Sequence, residues 1–243
     1  MTYPYPAEDD SDRAAKCEAL AALARKRRKT KWTGFPNQFR DISSYHNGAY
    51  DCDHVSPYTK GADNVNSKIV VLLQDWSSDK FLAKLNPQSD TGKEVIAIGR
   101  KDSLPTNKNL GRLLKEHFSL SLNEVYATNL FPFIKQGNLS APVERELLVK
   151  AARQFALPQV QIVKPKLVIC FGLATFNAVR AYYSKDKCDS VEAAIKSTFK
   201  SEDGVQFWAQ AHPGHFGQIG RNKLDKSQVE NDWQRMKNSL TPA

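Results

Sequence analysis

Polar side chains stand toward the ends of three apolar runs. "KIVVLLQD" (68–75) ends in Gln74 and Asp75, "EVYATNLF" (124–131) carries Thr128 and Asn129, and "VQFWAQAH" (205–212) ends in His212. A carboxylate that closes an apolar run is costly if it is enclosed and unpaired, so Asp75 needs a partner or a task. An Asp can orient or deprotonate a water. An Asn offers a donor and an acceptor side by side, which suits a base edge with neighbouring N–H and carbonyl groups. A His can hydrogen-bond an oxygen that gains negative charge. Water attack at a sugar carbon, with a base leaving as an anion, uses all three. Each residue also has a plainer reading: a helix N-cap for Asp75, a turn residue for Asn129, a loop histidine for His212. Their joint placement favours the chemical one.

That placement depends on the elements. Four short apolar runs, the three above and "KLVICFG" (166–172), alternate with helical patterns. Strands alternating with helices predict an α/β three-layer sandwich around a central, mainly parallel four-stranded sheet. Near-continuous apolar strands fit a sheet covered on both faces. Parallel strands share a direction, so their C-terminal ends, with Asp75, Asn129, Gly172 and His212, share the edge where ligands of open α/β sheets bind. "NKNLGRLLKEHF" (107–118) sets Leu110, Leu113, Leu114 and Phe118 on one helical face. Ser140 is the expected N-cap of the helix in "APVERELLVKAARQFALPQV".

Two regions follow: 1–67, a basic N-terminal helix and an aromatic-rich arm packed on the body, and 68–243, the α/β domain. Residues 1–11 read as a mobile acidic tail, and Asp12 as the cap of a helix over "RAAKCEALAALARKRRK". That helix ends in Arg25, Lys26, Arg27, Arg28 and Lys29. Positive charge suits a helix C-terminus, but five basic residues exceed what the dipole needs and suggest a phosphate-facing surface. The loop-like stretch 30–67 carries Trp32, Phe35, Phe39, Tyr45, Tyr50 and Tyr58, a density that predicts packing onto the body.

Lys and Arg number 35 against 26 Asp and Glu, for a net charge of +9. Such a balance favours an anionic partner, with nucleic acid first. Cys17, Cys52, Cys170 and Cys188 form no C-x-x-C pair and no zinc spacing. They read as reduced thiols of a cytoplasmic protein, nucleoid-associated if bacterial. No h-region and no apolar run of about 18 residues is seen, so neither a signal peptide nor a membrane span is expected. The chain lacks a Walker loop, a zinc-deaminase motif, a G-x-S-x-G elbow and a Rossmann fingerprint after the first strand, which counts against those chemistries.

The motifs, taken in order, resemble the uracil-DNA glycosylase superfamily over about residues 65 to 235. "LQDW" is similar to its first motif, "ATNLF" to its Asn-bearing strand and "AHPGH" to its His-Pro-Ser or His-Pro-Gly motif. "LPTNKNLGRLLKEHF" is similar to its proline-rich turn and helix, and "KPKLVICFGLATFNAV" to its third strand and helix. The resemblance implies a monofunctional DNA glycosylase acting by base flipping, with DNA as partner. Asp75 would activate water and His212 stabilise the leaving base. Asn129 would read the base, with Gln74, Trp76 and Phe131 beside it. Pro213, Gly214, His215 and Phe216 would form the DNA-entering loop, His215 or Phe216 being the wedge. Arg221 and Lys223 would bind phosphates. Trp76-Ser77 stands where the best-known branch has Pro-Tyr, and 82–116 hold none of the aromatic residues that usually stack on the base, leaving Trp76, Phe131 or Arg100 for that place. No iron–sulfur cluster, metal or other cofactor is implied, and a monomer is expected. Two other functions are open: a catalytically silent DNA-binding module of this fold, and an α/β enzyme acting on free nucleosides.

Overall fold

The structure, a computed structural model, describes residues 10–35 and 37–240. The acidic tail expected at 1–11 therefore lies almost wholly outside the described residues. The chain runs α1 (Asp10–Lys29), β1 (Phe39–Arg40), β2 (Ile69–Asp75), α2 (Asp79–Leu82), α3 (Asp90–Ile98), α4 (Pro105–Phe118), β3 (Tyr126–Phe131) and β4 (Ile134–Lys135). It continues with α5 (Arg145–Ala151), α6 (Leu157–Val163), β5 (Leu167–Phe171), α7 (Leu173–Tyr182), α8 (Val191–Lys196), β6 (Phe199–Lys200), β7 (Gln206–Gln210), α9 (His215–Arg221) and α10 (Gln228–Asn238).

The main sheet has the order β3-β2-β5-β7-β6. Its first four strands are parallel, and these are the four apolar runs of the sequence. The sheet is mixed rather than four-stranded: β6 adds an antiparallel edge, pairing Phe199 with Phe207. A second small sheet pairs β1 with β4, Phe39 opposite Lys135. Strand pleating sends alternate residues to opposite faces. Val70 and Leu72 pack with Leu147, Phe155, Val160, Phe176 and Val179 from α5 through α7. Ile69, Val71 and Leu73 pack with Leu110, Leu113, Leu114 and Trp233 from α4 and α10. Both faces are therefore covered, and the open C-terminal edge is what remains for a ligand.

Several local expectations change. Asp12 lies inside α1, paired with Lys16 at 2.9 Å, because the helix starts earlier, at Asp10. The helix after Ser140 begins only at Arg145, with Glu144 as its cap residue. Between α5 and α6 the backbone makes a π-turn at Ala152–Ala156. Pro158 follows it in the first turn of α6, and a proline ring clashes with the carbonyl four residues back. A widened turn absorbs that clash.

The basic run of α1 does not face outward as a block. Arg27 is fully buried, and its guanidinium meets Asp51 at 2.5 Å and Asp41 at 3.2 Å. Arg28 meets Asp51 and Asp53, and Arg25 meets Glu18. The acids that neutralise Arg27 and Arg28 arrive 14 to 25 residues later in the chain, in the aromatic-rich segment. Trp32, Ile42, Tyr45, Tyr50, Val55 and Tyr58 of that segment are buried. Among the described residues no helix is long and apolar enough to cross a membrane.

Candidate active site

The strand order reverses at β2: the chain steps to β3 on one side, then crosses to β5 and β7 on the other. Crevices form where the order reverses, outside the strand C-termini. Here a cavity of about 590 Å³ opens, and Gln74, Asp75, Trp76, Asn129 and His212 all line it. The sequence-derived trio is thus brought together.

Asp75 keeps about a tenth of its side-chain surface exposed. Its Oδ1 lies 2.9 Å from Lys135 Nζ, and its Oδ2 accepts from Gln74 Nε2 at 2.9 Å. The enclosed carboxylate therefore has a cation and an amide as partners. Each oxygen still offers a lone pair. Lys135 also donates to the Leu139 carbonyl at 2.7 Å.

Asn129 is buried, and its Oδ1 accepts from Ser56 Oγ at 2.6 Å. Its Nδ2 has no partner, and neither does the Ser77 hydroxyl in the same wall, among the described residues. An unsatisfied buried donor costs about 1–3 kcal/mol, so an acceptor on a ligand would recover that cost.

His212 is exposed at the rim, with protein packed closely around its ring. That desolvation holds its pKa below the ordinary imidazole value, with Lys135 acting the same way and Asp75 opposing. The Gly214 N–H donates to His212 Nδ1 at 3.0 Å. A nitrogen that accepts carries no proton, so the neutral ring presents Nε2–H.

Other assigned residues fall elsewhere. Phe131 is fully buried, 5.8 Å from Phe39 and 5.7 Å from Phe133 between ring centres. It belongs to an aromatic cluster behind the sheet and does not line the cavity, which removes it as a base-binding or stacking residue. Arg221 forks onto the nearly buried Asp232 at 2.6 and 3.1 Å, so its guanidinium is committed to the fold rather than to a phosphate. Pro213 is buried, and its carbonyl accepts from Asn109. Pro213 and Gly214 thus support His212 rather than enter a groove. His215 and Phe216 open a helix, not a loop, and both project, Phe216 with 88% of its surface exposed. Lys223 is exposed just beyond α9.

The structure adds Tyr58, Phe81 and Phe171 to the cavity, which the sequence left unassigned, and keeps Trp76 and Arg100 there. Tyr58 lies in the wall, its hydroxyl donating to Asn107 Oδ1 at 2.8 Å, and burial raises its pKa so that it stays a neutral donor. Arg100 stands 5.6 Å from the Tyr58 ring centre, and Phe171 closes the floor. Trp76 is anchored by its indole N–H to the Gly99 carbonyl at 2.7 Å. Tyr58, Trp76, Phe81 and Phe171 give the cavity aromatic walls. Away from it, Glu116, His117 and Glu230 stand close enough to hold a metal, but Arg112 already bridges both carboxylates.

No family model matches this chain, and no curated protein matches it either.

Proposed function

We propose that this protein is a monofunctional DNA glycosylase that hydrolyses the N-glycosidic bond of uracil or a related damaged base. The fold would then be a variant of the uracil-DNA glycosylase sandwich. One observation carries the reading: a carboxylate, an oriented amide and a neutral Nε2–H imidazole line one cavity whose walls are aromatic. A flipped nucleotide would place its base between those walls. Asp75 would accept a proton from water as the water oxygen bonds to the sugar C1′. The C1′–N bond breaks, and its electron pair leaves with the base. His212 Nε2–H would stabilise the negative charge on the base oxygen. Phe216, projecting from the first turn of α9, would fill the gap left in the duplex.

The test uses purified protein on oligonucleotides containing uracil, hypoxanthine or a thymine mismatch. Abasic product is expected from at least one of them, with Asp75→Asn and His212→Ala each reducing the rate by at least about 100-fold. Absence of product from all three sinks the enzyme.

A second reading has its own observation. Both Asp75 oxygens already have partners, Lys135 and Gln74, which fits a catalytically silent module that recognises extrahelical bases. In that case Asp75→Asn would leave DNA binding and biological effect unchanged, with no activity to lose.

A further inference from the structure

We infer that Ser56 sets the base selectivity of the cavity by locking the Asn129 amide with its NH2 turned toward the ligand. The inference rests on the glycosylase reading for its substrate, though not for its geometry. Ser56 lies outside the stretch that resembles the glycosylases. It is fully buried and precedes a 3-10 turn, Pro57–Gly61, where it accepts from the Tyr58 N–H at 3.3 Å.

A serine hydroxyl has one proton to give. With the Tyr58 N–H directed at its oxygen, that proton goes to Asn129 Oδ1, 2.6 Å away. Turning the amide over would fill both lone pairs of that oxygen, with Tyr58 N–H and Asn129 Nδ2. It would also strip the hydroxyl proton of its acceptor. Buried polar groups left in that state are costly. The amide therefore has one favoured orientation.

Asn129 lines the cavity, and its buried Nδ2–H2 is left unpartnered, with the second lone pair of Oδ1 beside it. This pair fits a base edge that offers a carbonyl next to a ring N–H, as uracil, thymine and hypoxanthine do. Cytosine and adenine offer an amino group next to a bare ring nitrogen, so donor would face donor and acceptor would face acceptor. A site built from buried polar groups discriminates strongly against the wrong pattern. Without Ser56 the amide could turn over and meet the amino bases as well.

The experiment compares wild type with Ser56→Ala on oligonucleotides carrying uracil or cytosine at one position. Thermal unfolding is followed in parallel. The proposal expects the uracil-to-cytosine ratio of kcat/KM to fall by about 10- to 100-fold in a folded Ser56→Ala protein. An unchanged ratio overturns it. If that variant does not fold, nuclear Overhauser contacts in wild type decide. Asn129 NH2 protons turned away from Ser56 and shifted by free uracil support the lock, whereas contacts from those protons to the Ser56 methylene and the Tyr58 N–H overturn it. If wild type excises nothing, the glycosylase reading fails. The same spectra, recorded with free uracil and free cytosine, then still decide whether Ser56 locks the amide.

Discussion

His212 stands at an exposed rim, yet the backbone beneath it sets which nitrogen carries the proton. Protonation would place an N–H at Nδ1 against the Gly214 N–H, which now donates to it. Desolvation acts in the same direction and lowers the pKa. The acid limb of the kcat/KM profile assigned to His212 should therefore lie below the ordinary imidazole value of about 6.5. An NMR titration of the ring checks this, and a midpoint above 7 would refute it. The sign for stability is the same as for a depressed carboxylate. Below about 6.5 the unfolded chain binds a proton that the folded one resists, so stability present at neutral pH is lost as pH falls. Two glycines hold this arrangement. A Cβ on Gly217 would lie 2.2 Å from the His212 carbonyl oxygen, and one on Gly214 would lie 2.9 Å from Nδ1. Gly217→Ala must then displace the His212 backbone. It is expected to lower both the melting temperature and the excision rate, and a variant indistinguishable from wild type in both would contradict this packing.

Among the elements, the N-terminal segment does more for the cavity than its loop-like composition suggests. Its turn at Pro57–Gly61 brings Ser56 and Tyr58 into the site, and its strand β1 pairs with β4, placing Phe39 opposite Lys135. Lys135 in turn holds Asp75. The strand ends were legible because apolar runs and the polar residues that close them are local features, and parallel topology gathers them. The rest depends on contacts far apart in sequence. Ser56 and Asn129 are 73 residues apart, and nothing local marks their meeting. A two-residue strand such as β4 has no periodicity to read. Phe131 follows Asn129 by two positions, yet the strand end turns it into the cluster around Phe39 and Phe133. Replacing Lys135 tests the link between segment and site. Lys135→Met leaves Asp75 enclosed without its cation and should destabilise the fold by about 3–5 kcal/mol. It also removes a charge that lowers the His212 pKa, so that pKa should rise. Adding Asp75→Asn should restore much of the lost stability in a double-mutant cycle. Simple additivity of the two losses would show that the pair is not coupled.

The whole molecule carries a net charge of +9, but not all of its cations are free to meet an anion. Arg27 and Arg28 are spent on Asp41, Asp51 and Asp53, and Arg221 on Asp232. Lys80 and Lys84, by contrast, are exposed along a groove of about 690 Å³ that shares Phe81, Leu85, Leu139 and Ser140 with the cavity at the strand ends. A strand entering the cavity would pass them, and each phosphate they neutralise releases counterions. The logarithm of DNA affinity should fall linearly with the logarithm of salt concentration. Lys80→Ala and Lys84→Ala should each reduce that slope by about one. Arg27→Ala should behave in the opposite way, because it leaves Asp41 without its cation and Asp51 with Arg28 alone. It is expected to cost about 3 kcal/mol of stability and to leave the salt slope of the folded protein unchanged. Fluorescence anisotropy across a salt series, with denaturant unfolding of each variant, separates the two effects. If Arg27→Ala flattened the slope while the lysine variants did not, DNA would be running along α1 rather than past the groove.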